Sequence, residues 1–186
     1  MASVTIYQKD VPYAFAASVA DPARSQAAAD ALTTMAAFVT QLAAPDLEGI
    51  FTLIDSVMFF EDNIQNGAFV MDRSFTDLHT RQFNWKLAEF LDPNHRDCSR
   101  ASYYYHDAFH VSQFAAAGAY PSDIDDQAQW EVDAINNQID AVRTMACGQY
   151  LVDFLTSFDN SKPQIVARLQ AGVAFGHGAG GAAALG

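Results

Sequence analysis

His106 and His110 stand four residues apart in the stretch Tyr105-His106-Asp107-Ala108-Phe109-His110. On a helix, residues at that spacing differ by about 40° in azimuth and one turn in height, so the two imidazoles project side by side. Two such nitrogens can share one divalent cation. The acidic side chain after the first histidine, Asp107, is the candidate general base. A zinc site needs a third ligand, and a catalytic one keeps a fourth position open. Glu131 is the candidate. Ala128, Val132, Ile135, Ile139, Val142 and Ala146 repeat at helical spacing as an apolar stripe, and Glu131 falls within or beside it, whereas Asp133, Asn137 and Asp140 point elsewhere. A carboxylate on a core face is costly unless it is paired, protonated or bound to a metal.

Several elements must position these groups. Asp21-Pro22 predicts a helix start, with Leu32, Met35, Phe38, Val39 and Leu42 as the buried face of a helix over 23–44 that Pro45 stops. The dense apolar run from Phe51 to Phe60 fits a buried helix or strand. Asn66-Gly67 signals a tight turn into a short strand over 68–72, and so a small hairpin. Thr76 or Asp77 predicts the cap of another helix with the stripe Phe83, Leu87, Phe90 and Leu91, ended by Asp92-Pro93. The motif helix is expected over 101–117 and stops at Gly118. Asp125 or Asp126 caps a long helix to about Phe158, bent at Gly148, and a shorter helix covers 163–172. The fold class expected is mainly α (α+β): a single domain over 1–175 with a small β-hairpin, the motif helix followed by the helix carrying Glu131, and a flexible glycine- and alanine-rich tail over 176–186.

Composition bounds the function. Half the residues are hydrophobic (51%), enough for a real core. Acidic residues outnumber basic ones 22 to 10, for a net charge of −12, which excludes a nucleic-acid backbone as partner and argues against docking on an anionic membrane. No apolar run reaches the length of a membrane span. The first ten residues lack a basic region followed by an apolar core, so a secretory signal is not expected and a cytoplasmic location is favoured. Cys98 and Cys147 suggest neither a disulfide scaffold nor a zinc knuckle; a single bridge between them stays open.

The stretch His106-Asp107-Ala108-Phe109-His110-Val111-Ser112-Gln113-Phe114 resembles the active-site helix, written HExxH, of the gluzincin-type zinc metallopeptidases. Trp130-Glu131-Val132-Asp133-Ala134 resembles their downstream glutamate helix. The likeness runs from Tyr105 to Ala134 only. It implies zinc held by His106, His110 and Glu131, a peptide or protein substrate, and Asp107 in the place of the glutamate base, which takes a proton from the attacking water and returns it to the leaving amine. Asp107 departs from the pattern. It is one methylene shorter, about 1.5 Å of reach, so it slows or repositions the chemistry or marks a pseudoenzyme.

Two other classes fit the same residues. His79 followed by the His106-Asp107 pair, with Asp133 or Asp140 later, is similar to the pattern of HD-type metal-dependent phosphohydrolases, although few cationic residues stand near to hold phosphate. A non-catalytic helical protein for binding or assembly is the third, since its alanine-rich helices favour close packing and leave homo-oligomerisation open. On that reading His106 and His110 are satisfied by carboxylates and Tyr103 to Tyr105 are core aromatics. Tyr120, after the motif helix, could donate a hydrogen bond to an oxyanion. His95 reads as solvated in a polar loop, and His177 lies in the tail.

Overall fold

The structure is a computed structural model that describes residues 2–42, 44–61, 63–65, 68–71, 74–157 and 160–171, with 63–65 and 68–71 as backbone alone. It opens on a hairpin that the sequence did not announce. Strands β1 (Ala2–Ile6) and β2 (Lys9–Phe15) pair antiparallel, with Ala2 opposite Tyr13 and Ile6 opposite Lys9. The tight turn puts Tyr7 at φ 53°, where glycine or asparagine usually sits. Tyr7 is held there by tertiary contacts: its ring lies 6.2 Å from that of Phe51, and its N–H donates to Thr40 Oγ1 at 2.8 Å.

Asp21 caps α1 (Pro22–Gln41) as expected, its carboxylate accepting from the Ala23 N–H at 2.9 Å. Leu32, Met35 and Val39 are on the buried face. Pro45 does more than end that helix, since it starts α2 (Pro45–Phe51). The apolar run that follows contains β3 (Ser56–Phe60). Two short strands, β4 (Asn63–Gln65) and β5 (Ala68–Met71), pair antiparallel as the expected small hairpin, and its turn at Asn66-Gly67 lies outside the described residues.

The helix expected to start at Thr76 or Asp77 is not formed. Phe75–Asp77 is β6, Gln82–Lys86 is β7, and only Leu87–Phe90 is helical, as α3. Phe83 and Trp85 alternate with Gln82, Asn84 and Lys86, a period of two that puts both aromatics in the core. The spacing of Phe83, Leu87 and Phe90 mimics a helix because it straddles a strand and the helical turn after it. The five-stranded sheet has the order β1-β2-β3-β7-β6. Its three central strands are parallel, with Tyr13 opposite Val57 and Val57 opposite Phe83, and antiparallel pairs form both edges. The hairpin foreseen is thus accompanied by a larger sheet built from distant segments.

Helix α4 (Asp97–Ala117) begins one turn before the expected Ala101 and ends as expected at Gly118. That residue has φ 77°, a conformation glycine adopts without strain, and its N–H closes on the Phe114 carbonyl at 2.8 Å. Tyr104 on α4 stacks on Phe51 at 5.7 Å and meets Phe83 at 6.0 Å, which seats the helix on the sheet. Asp123, rather than Asp125 or Asp126, caps α5 (Ile124–Thr144) by accepting from the Asp125 N–H at 2.8 Å. Helix α5 does not run on to Phe158. Ala146 at φ 51° breaks the ladder, and α6 (Gln149–Ser157) starts after Gly148. Helix α7 (Lys162–Gln170) matches the shorter helix expected. The tail with His177 lies outside the described residues.

Cys98 and Cys147 form a disulfide, with Cα atoms 5.8 Å apart. Cys98 sits in the first turn of α4 and Cys147 in the turn that ends α5. The two helices run antiparallel, so a sequence separation of 49 becomes a contact. Closing a loop of that length stabilises the fold by about 4 kcal/mol on the chain-entropy account. Among the described residues no helix is long and apolar enough to cross a membrane.

Candidate metal centre

The antiparallel pair α4 and α5 brings His106 and His110 against Glu131, and all three side chains are buried. His106 Nε2 lies 3.2 Å from His110 Nε2. The carboxylate offers one oxygen to each ring: Oε2 is 3.6 Å from His106 Nε2, and Oε1 is 3.4 Å from His110 Nε2. For tetrahedral zinc with bonds of about 2.0–2.1 Å, ligand atoms stand roughly 3.3 Å apart. The three separations fit that figure.

The protons on the rings can be placed. Gln113 Nε2 donates to the Trp130 carbonyl at 3.1 Å, and a carbonyl only accepts, so the amide oxygen of Gln113 faces His110 Nδ1 at 2.8 Å. Ser102 donates its hydroxyl proton to the Ser99 carbonyl, so it accepts from Gln138 Nε2 at 3.3 Å. The Gln138 oxygen therefore faces His106 Nδ1 at 3.1 Å. Each Nδ1 carries the proton and donates it to an amide oxygen. With both rings neutral, each Nε2 presents a lone pair inward, toward the other lone pair and a carboxylate. Glu131 Oε2 has no hydrogen-bond partner. Three acceptors converging in a dry space call for a cation between them, either a proton or a metal ion.

Charge within the group follows from burial and neighbours. Burial pushes Glu131 up, but the charge of His110 and the closeness of both rings outweigh it and hold the carboxyl at about 2. Burial pushes His106 down, and His110 adds to that effect. For His110, burial acts downward too, yet the negative charges of Glu131 and Asp107 win and its pKa is raised. Of the two rings, His110 is the one whose charged form the neighbours favour.

Asp107 is fully buried and lines a small cavity together with Thr76, Leu78, His110, Tyr120 and Glu131. Thr76 on β6 donates to its Oδ1 at 2.9 Å, while Oδ2 has no partner. Burial raises the Asp107 pKa well above the usual carboxylate range. Tyr120 stands edge-on to Trp130 at 5.5 Å, and its phenol is pushed up to about 12 by burial and by the charge of Glu131.

The other sequence candidates are not brought here. His79 is exposed, with its ring edge-on to Phe114 at 4.9 Å, and does not belong to the ligand group. Asp133 accepts from Gln129, and Asp140 pairs with Arg143 at the surface. His95 is half-buried rather than solvated, its Nδ1 2.8 Å from the Glu89 carbonyl. Tyr104 and Tyr105 are core aromatics, as the non-catalytic reading expects. Sequence reasoning placed neither Gln113, Gln138, Ser102 nor Thr76 in the site, and offered Thr76 only as a helix cap. Spacing held a signal for two of them. Gln138 lies seven residues after Glu131 on the same helical face, and Gln113 lies three after His110.

Comparison with protein-family models, with curated proteins and with solved structures gave no match.

Proposed function

We propose that the protein is a zinc-dependent, peptidase-like hydrolase. One observation carries this reading: two imidazole lone pairs and an unpartnered carboxylate oxygen face one another across 3.2 to 3.6 Å. Two imidazoles and a carboxylate suit zinc in tetrahedral geometry, and three protein ligands leave a fourth position for chemistry. Amide acceptors behind both imidazoles are the usual second support of histidine ligands. A bound zinc would polarise a scissile carbonyl and lower the pKa of water.

The chain's own groups would do the rest. Asp107 takes a proton from the attacking water on its free Oδ2 and returns it to the leaving amine, while Thr76 fixes the other oxygen. A carboxyl whose pKa is raised by burial is suited to handing the proton back. Tyr120 keeps its proton at neutral pH and can donate it as a hydrogen bond to the oxyanion. Strand β6 is the last strand of its sheet among the described residues, so an extended peptide could pair along its outer edge beside the ligands.

Elemental analysis of protein purified without chelator should find one zinc per chain, and His106→Ala or His110→Ala should lose it. A metal-free wild type under these conditions sinks the proposal. Asp107→Ala should keep the zinc but lose peptide cleavage; unchanged turnover would remove Asp107 from the role of base. Asp107→Glu restores the usual arm and should raise cleavage.

A further inference from the structure

Gln113 makes two hydrogen bonds, and each leads to a different ligand. Its Oε1 accepts from His110 Nδ1 at 2.8 Å, and its Nε2 donates at 3.1 Å to the carbonyl of Trp130, the residue before Glu131. The side chain closes a ring that runs from His110 through Gln113 and the Trp130 carbonyl to Glu131, then back to His110 Nε2 at 3.4 Å. Gln138 does less. It reaches His106 alone and is tied through Ser102 to Ser99, both on the same helix as His106.

We infer that Gln113 is a positioning residue that fixes two of the three metal ligands at once. Toward α4 it holds His110 in the Nδ1–H tautomer, so that Nε2 offers its lone pair. Toward α5 it sets the height of the helix turn that carries Glu131. The affinity part of this inference rests on the proposed metal reading, whereas the tautomer part does not.

The residue type is what the double task requires. An amide both accepts and donates, and the Trp130 carbonyl decides which end does which. An ionised glutamate in its place accepts but cannot donate. It would keep the histidine bond and set a carboxylate oxygen against the Trp130 carbonyl. Methionine has a similar length and offers neither group in useful strength. Asparagine is one methylene too short to span the gap between the helices.

The test compares Gln113→Met, Gln113→Glu and Gln138→Met. Nitrogen NMR of the imidazoles in metal-free protein, at a pH of about 9 and so above the ordinary imidazole titration, reads the tautomer. Competition with a chromophoric chelator reads the zinc Kd. Wild-type His110 should carry its proton on Nδ1. Gln113→Met should move that proton to Nε2 and weaken zinc binding by about 10–100-fold. Gln113→Glu should keep the proton on Nδ1 yet still weaken zinc, by a smaller factor, because only the α5 half of the ring is broken. Gln138→Met should alter the His106 tautomer and leave that of His110 unchanged.

Retention of the Nδ1 proton in Gln113→Met overturns the inference, and so does a Gln113→Glu Kd within about twofold of wild type. If Gln113→Met fails to fold, the Gln113→Glu comparison decides. A wild type that takes up no zinc sinks the proposed function but leaves the tautomer comparison to judge Gln113.

Discussion

The two faces of helix α4 make an instructive contrast. Ala101, Tyr104, Ala108 and Val111 lie in the hydrophobic core, where Tyr104 meets Phe51, Phe83 and Trp85. His106, Asp107, His110 and Gln113 turn instead toward α5 and β6. Both faces are buried. The apolar one is filled ring against ring, with the Tyr104 hydroxyl buried there without a hydrogen-bond partner. The polar one is complete only in its outer layer: every imidazole Nδ1 and both amides are satisfied, yet the inner atoms are acceptors facing acceptors. Unpaired buried acceptors cost stability, and a cation between the rings would offset that cost.

The largest expected effect breaks the polar face alone. Glu131→Gln removes the negative charge, and zinc affinity should fall by at least about 100-fold, measured by chelator competition, with the thermal transition of the chelated protein still cooperative. If zinc binding survives, the polar face was never a ligand set. Next comes the apolar face. Trp85→Ala should destabilise the fold by about 3–5 kcal/mol in urea titrations, by the same amount with zinc and with chelator. A cost that depends on metal would join the two faces rather than separate them.

A pH experiment sharpens the contrast further. Above pH about 7, His106 is neutral in folded and unfolded chains alike and drops out. Against the effect of burial, the charges of Glu131 and Asp107 hold His110 up. The folded protein therefore keeps a proton there that the unfolded chain has released, and this stabilisation is lost as the pH rises through the folded value. The Tm of chelated protein should fall as the pH is raised from about 7, above the ordinary imidazole value, while bound zinc would take the place of the His110 proton and flatten the curve. Parallel curves would argue against a metal between the rings. The smallest effect is that of Thr76→Val, which strips Asp107 Oδ1 of its donor and should cost about 1–3 kcal/mol with zinc affinity unchanged.

Legibility in the sequence follows the range of the forces involved. Helix α1 declared itself through Asp21-Pro22, and α4 through Gly118, because caps are local. The grouping of His106, His110 and Glu131 was legible for the same reason: four-residue spacing sets the two histidines side by side, and an acid on an apolar stripe marks Glu131. The β1–β2 hairpin was not, since tertiary contacts at Tyr7 replace the glycine or asparagine that would have signalled it. Strand β7 was misread because four apolar residues happened to match a helical period, whereas the alternation around Trp85 that decides the matter gains its meaning from the neighbouring strands. Gln113 and Gln138 look like ordinary surface amides until a second helix is laid against them. The bridge between Cys98 and Cys147 needs that same pairing of helices before it can be seen.

That bridge bears on where the molecule can be made. Cells keep thiols reduced in the cytosol, and lasting cystines belong to the endoplasmic reticulum, the periplasm or the exterior. The covalent strap at the base of α4 and α5 thus weighs against the cytosolic address favoured from the first ten residues. Material produced in a reducing host would arrive with its two helical rods untied at one end, and an oxidising host is the right source for every measurement above.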